Sequence, residues 1–218
     1  MRYTAFVAAA TIGLVAVSSS APAQEEEESM VSPSVVSYGI AAGATVPTGS
    51  LSNLHDTGWN VLGLVDWTSR TIPVGFRGDL EYHKLAGAQL TVAPPGGTPV
   101  STSADDLSLW AATADLLWLV HRGTATEPIT PYALAGVGLY HTSGDQTATS
   151  GGAVTTVSNS STNFGLNVGA GVIWRISSFS TFAELRFHSV FNGALDDHGD
   201  KTNARFFPLS LGLRFGGR

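Results

Sequence analysis

The 218-residue chain contains no cysteine, which excludes a disulfide framework and thiolate chemistry. It also has no run of 18 consecutive apolar residues, so no helix is expected to cross a membrane. The longest apolar stretch, Ala5 to Val17, falls short of the roughly 20 residues a spanning helix needs. Positive charge is scarce: 11 Lys and Arg stand against 17 Asp and Glu, a formal net charge of −6. That balance argues against nucleic acid, whose binding is dominated by Lys and Arg on phosphate. A calcium-loop pattern is missing as well. Asp196-Asp197-His198-Gly199-Asp200 clusters carboxylates, but not at the D-x-[DN]-x-[DN]-G spacing, and reads as a solvated acidic loop. Gly136-Val137-Gly138 and Gly169-Ala170-Gly171 open no helix of a βαβ unit, so they are not phosphate-cradling glycines.

What is present begins with a secretory signature. Arg2, the apolar run and Ala21-Pro22-Ala23 form the n-region, h-region and A-x-A site of a signal peptide spanning residues 1–23. With no cysteine after the cut, a lipid-modified N-terminus is excluded. Residues 24–34, with the block Glu25 to Glu28, read as a solvated periplasmic tail. Residues 35–218 then suit one domain. Mean hydropathy is positive although glycines number 25, as expected when hydrophobicity is spread over many alternating strands.

Period-two alternation bounded by Gly, Pro, Asn and Asp predicts eight strands: Val35–Val46, Gly58–Ser69, Ile72–Ala86, Asp106–Val120, Thr130–Thr142, Thr162–Ile176, Ser180–Asn192 and Arg205–Phe215. The connections alternate in length. Long ones are Pro47–Thr57, Gly87–Asp105, Ser143–Ser161 and Gly193–Ala204; tight ones lie at Arg70 and Ser177-Ser178-Phe179, and His121–Ile129 is of moderate length. This is the plan of an all-β, eight-stranded antiparallel up-and-down transmembrane β-barrel with long extracellular loops and short periplasmic turns. Such a barrel leaves no backbone edge unpaired in lipid.

Aromatic spacing fits that plan. Trp59 and Trp67, Trp110 and Trp118, and Tyr132 and Tyr140 are pairs eight apart within one strand. Eight residues rise about 26 Å along a strand, or about 20 Å along the normal at a tilt of ~40°. That suits two aromatic girdles around an apolar band of about 25 Å, with Trp174 on the periplasmic one. On strand five, Ala133, Ala135, Val137 and Leu139 compete with the tyrosines for the lipid face. Opposite faces hold the charge: Asp66, Arg77, Asp79, Glu81, His83, Asp115, Arg175, Glu184, Arg186, His188 and Arg214. Charges facing lipid cost roughly 2–4 kcal/mol each near the midplane, so these residues are expected to form a structural polar network that fills the lumen.

His188-Ser189 is the most enzyme-like pair. A nucleophile must lie within hydrogen-bond reach of its base, and adjacent residues on a strand face opposite ways. An outer-membrane lipid A deacylase, whose pattern separates its His and Ser by one residue, is therefore matched poorly. No catalytic residues, metal ligands or cofactor are expected.

The final strand, Phe207-Pro-Leu-Ser-Leu-Gly-Leu-Arg-Phe215, presents Leu209, Leu211, Leu213 and Phe215 on one side. Together with Val46-Pro47-Thr48-Gly49 and Pro131 to Leu139, it resembles the small outer-membrane β-barrel domain of OmpA-like and OmpX-like proteins. The resemblance covers the mature chain. It implies an outer-membrane location in a Gram-negative-type envelope, contact with outer-membrane lipids, and recognition of Phe207–Phe215 by the barrel-assembly machinery. The Gly216-Gly217-Arg218 end departs from the group's terminal aromatic and weakens that last expectation. A structural or surface-interaction role through the loops, with a possible surface ligand, is the leading expectation. The alternatives are a lipid-modifying enzyme and a narrow pore or small-ligand channel.

Overall fold

The structure is a computed structural model describing residues 34–92, 100–104, 106–120, 128–150, 153–176, 178–195 and 201–217. The signal peptide and all of the acidic tail but Ser34 lie outside the described residues, as does the Asp196–Asp200 cluster. In chain order the strands are β1 (Ser34–Thr48), β2 (His55–Ser69), β3 (Val74–Gly87), β4 (Gln89–Val92), β5 (Val100–Ala104), β6 (Leu107–Leu119), β7 (Ile129–Ser150), β8 (Ala153–Arg175), β9 (Ser180–Leu195) and β10 (Lys201–Gly216). A 3₁₀ turn, Gly49–Asn53, follows β1. Among the described residues no helix is long and apolar enough to cross a membrane.

Eight of these strands close on themselves. The order β7-β6-β3-β2-β1-β10-β9-β8 is completed by a β7–β8 pairing, and each neighbouring pair is antiparallel. All eight strands expected from alternation are present, and the barrel is of the up-and-down type. Closure matters physically, because it leaves no open sheet edge to face lipid.

Two expected loops contain strand. Within Gly87–Asp105, β4 and β5 pair as a hairpin, and β5 joins β7 through Ser103↔Thr147 and Ala104↔Gln146. Within Ser143–Ser161, β7 and β8 continue in unbroken register from Ser143↔Ser160 to Ser150↔Ala153. Thr and Val recur through this segment (Thr147, Thr149, Val154, Thr155, Thr156, Val157) and have high strand propensity. The Ser/Thr/Gly content that suggested a loop thus belongs to a protruding ribbon.

Burial alternates along every barrel strand. Ile40, Phe76, Leu80, Leu116, Leu139, Val168, Leu185, Leu209 and Leu211 are all more than half exposed, facing outward. A soluble protein would not leave a continuous belt of this kind in water. The interior is mixed rather than purely polar. One apolar cluster includes Leu62, Leu64, Leu117, Leu119, Tyr132, Ile173 and Phe182. A second, toward the long-loop end, joins Leu51 of the 3₁₀ turn to Leu85, Leu109, Tyr140, Val190 and Phe206. Leu51 therefore closes the lumen over that end.

Candidate functional site

The ionic cluster in the lumen is built by period-two geometry, because inward positions on different strands meet at the barrel axis. On β3, Arg77, Asp79, Glu81 and His83 are buried in sequence, and on β9 so are Glu184, Arg186 and His188. Asp66 on β2 and Asp115 on β6 join them, both buried.

Arg77 holds Asp66 in a two-pronged contact, Nε to Oδ1 at 2.5 Å and Nη2 to Oδ2 at 3.2 Å. Its Nη1 donates to Glu184 Oε2 at 2.5 Å, and its guanidinium lies 5.1 Å from the centre of the Tyr132 ring. Glu184 bridges to the second arginine through Arg186 Nε, 2.5 Å from Oε1. Arg186 also reaches Asp79 Oδ2 (2.6 Å), Glu81 Oε1 (3.0 Å) and Asp115 Oδ2 (3.3 Å). One guanidinium thus serves four carboxylates. Fork-shaped donors suit that role better than an ammonium would.

A neutral chain feeds the same cluster. Ser210 donates to Asn60 Oδ1 (2.8 Å), and Asn60 Nδ2 to Thr45 Oγ1 (3.1 Å). Thr45 Oγ1 lies 2.9 Å from His83 Nδ1, and His83 Nε2 lies 3.0 Å from Glu81 Oε2. Read in one direction, the chain places the His83 proton on Nε2 and leaves Nδ1 as acceptor. Asn167 Nδ2 donates to Asp115 Oδ1 at 2.8 Å. Arg214, on β10, pairs Nε with Asp66 Oδ2 at 2.8 Å. Every one of the eight barrel strands contributes a side chain, so the network ties the circumference together across its centre.

Two of the expected placements are corrected. Tyr132 and Tyr140 are not girdle residues: they are 2% and 0% exposed and point into the lumen. Tyr132 donates to Glu184 Oε2 at 2.6 Å, and the Tyr140 hydroxyl lies 2.9 Å from His188 Nδ1. Glycines on β8 make room for them. Gly171 is the direct partner of Tyr132, and a Cβ there would meet the ring at 2.5 Å; one at Gly165 would meet Tyr140 at 2.8 Å. β7 therefore turns Val137 and Leu139 outward instead. Arg175 is the second correction. It ends β8 and is exposed at the barrel mouth, because the chain turns back immediately after it.

Trp59, Trp67, Trp110, Trp118 and Trp174 are each about half exposed on the outer face. Tyr82 faces outward as its parity predicts but was not counted with the girdles; it bridges Trp59 (centroids 5.4 Å apart) and Trp110 (4.8 Å) into one aromatic group. Its signal was available in the outward parity of Phe76 and Leu80 on the same strand.

Chemically, the expected separation of His188 from Ser189 holds. His188 is buried, stacked on Phe206 at 4.8 Å, whereas Ser189 sits on the opposite face of β9. His188 Nε2 is 3.7 Å from Glu81 Oε2 and has no hydrogen-bond partner. At the long-loop rim, exposed Asp106 pairs with Lys84 at 3.1 Å. Hydrogen bonds from that ammonium and from the Gly87 N–H hold its carboxyl below the usual carboxylate range.

No family model and no curated protein matches the chain. Solved structures do. Neisserial surface protein A is 21% identical, with 83% of this chain and 96% of that one aligned and a TM-score of 0.53. A major outer membrane protein from Thermus thermophilus is 16% identical over 84% of this chain and 99% of that one, also with a TM-score of 0.53. The fold is that of a small outer-membrane barrel. In such a barrel an eight-stranded interior is just wide enough for side chains to fill, and here Arg77, Arg186 and their carboxylates occupy it.

Proposed function

We propose that the protein is an outer-membrane barrel with a closed lumen, acting as a structural or surface-interaction component through its long-loop side. The observation carrying this reading is the Arg77–Glu184–Arg186 cluster. It crosses the barrel where a conducting pore or a ligand channel would need open space. The apolar outer belt and the tryptophans at its two borders support the location. On this reading residues 1–23 are removed as a signal, residues 24–34 lie in the periplasm, and the β7–β8 ribbon with the β4–β5 hairpin stands outside the cell. Outer-membrane lipids contact the belt, and the assembly machinery engages Phe207–Phe215. The opposite facing of His188 and Ser189 supports a non-catalytic role.

Planar-bilayer recordings of the purified protein test this. The expected result is no stable porin-sized conductance; a reproducible one in wild-type protein overturns the closed-lumen reading.

A further inference from the structure

Register lays two outward rows side by side on one part of the belt. Trp110 on β6, Tyr82 on β3, Val61 on β2, Ala42 on β1 and Leu211 on β10 are successive partners. Leu80, Gly63, Ile40 and Leu213 form the next row. Gly63 and Ala42 make a low floor among these larger side chains. The result is an apolar groove of about 600 Å³ on the outer surface, with no charged residue among its described lining residues.

The floor has no cause within the fold. A Cβ added at Gly43, Gly58 or Gly212 would run into backbone of the neighbouring strand, whereas one at Gly63 would meet nothing within 4 Å. Nor does Gly63 have a positive φ. A glycine inside a strand weakens it, and where packing does not require one it marks a place where something approaches the backbone closely.

The groove runs obliquely. Trp110 is three residues from the long-loop end of β6 at Leu107, whereas Leu211 is five residues from the short-turn end of β10 at Gly216. Five strands about 4.8 Å apart span about 19 Å. At a strand tilt of ~40° that path descends about 12 Å, within the roughly 15 Å that is half of a bilayer's hydrocarbon core. Its upper end meets the aromatic group of Trp59, Tyr82 and Trp110. There the Tyr82 hydroxyl lies 3.1 Å from Ser108 Oγ, a polar pair at the level where lipid turns polar.

We propose that this groove holds one acyl chain of a lipid from the leaflet on the long-loop side. On the membrane reading above, on which this rests, the groove is continuous with the lipid-facing belt, so a chain enters it without leaving the bilayer. Hydrophobicity does not favour this seat over bulk lipid. Close packing does, through walls on two sides and a floor low enough for the chain to touch the backbone.

The test is native mass spectrometry of the full chain, refolded into phosphatidylcholine vesicles and extracted in mild detergent, for wild type, Gly63→Leu and Gly78→Leu. Gly78 shares the outward parity of Phe76 and Leu80 but lies outside the groove, and a Cβ there makes only an ordinary contact, 3.7 Å from the Trp67 ring. Heat-dependent gel mobility shows that each variant is folded. The expected result is one phosphatidylcholine retained per barrel in wild type and Gly78→Leu, with retention lowered roughly tenfold or more in Gly63→Leu. No retained lipid in wild type, equal retention in Gly63→Leu, or the same loss in Gly78→Leu overturns the proposal. So does a dimer that Gly63→Leu abolishes, which would assign the groove to a second copy. Absence of any heat-dependent shift in wild type refutes the membrane reading itself, and the lipid seat with it.

Discussion

Replacing Arg186 by Gln removes the centre of the lumen network. In the native protein its guanidinium lies 2.5 Å from Glu184, 2.6 Å from Asp79, 3.0 Å from Glu81 and 3.3 Å from Asp115. Its side chain is 2% exposed. Glutamine keeps two hydrogen-bonding groups but leaves four carboxylates around a site with no charge. Breaking a buried ion pair by removing one partner costs about 3–5 kcal/mol, because the orphaned charge stays buried. With a denaturant slope of about 2 kcal/mol per molar urea, the unfolding midpoint falls by about 1.5–2.5 M. Urea titration in lipid, followed by tryptophan fluorescence and by gel mobility, measures it. The companion variant Arg186→Gln/Asp79→Asn removes one orphaned carboxylate as well, so the two substitutions are expected to be non-additive by about 1–3 kcal/mol. A change below about 0.5 kcal/mol for Arg186→Gln, or a strictly additive cycle, would refute the reasoning: the carboxylates would then be solvated and the lumen wet.

Other outcomes follow from the same geometry. Tyr132→Phe removes an O–H bond to the Glu184 carboxylate and is expected to cost roughly 1.5–3 kcal/mol; a girdle tyrosine would lose almost nothing, so a neutral result places the ring outside. Gly43→Val drives a side chain into the backbone of Leu209 and Ser210 on β10, so the barrel fails to close and boiled and unboiled samples migrate alike on gels; a normal shift would contradict the β1–β10 register. The half-exposed Trp67, Trp118 and Trp174 are expected to be quenched more by lipids brominated near the headgroup than near the chain end, and the reverse order would place them at the bilayer centre.

Much of this architecture was legible because both determinants have period two. On β3 and β9 the charged and apolar residues separate cleanly by parity, so Arg77, Asp79, Glu81, Glu184 and Arg186 declare their face. On β7 they do not: Tyr132, Leu134 and Tyr140 alternate with Ala133, Val137 and Leu139, and either set suits lipid. The deciding information lies on another strand, in Gly171 beside the Tyr132 ring and in the acceptors Glu184 and His188. Arg175 has the inward parity of the network residues, but as the next-to-last residue of its expected strand, Thr162–Ile176, it lies at the mouth and is exposed. The inward leucines of β2, Leu62 and Leu64, face a lumen that charge alone suggested would be polar. The β7–β8 ribbon was hidden because Ser, Thr and Gly serve equally in loops and in solvated strands, and only register distinguishes them.

The central claim is a closed barrel that spans the outer membrane. Gel mobility of the mature protein from outer-membrane fractions, boiled against unboiled, tests it most directly. The expected result is a folded, faster-or-slower band that converts to the unfolded position only on heating. Recovery in the soluble fraction with no heat-dependent shift would contradict the claim and make the exposed belt the surface of something other than a membrane protein.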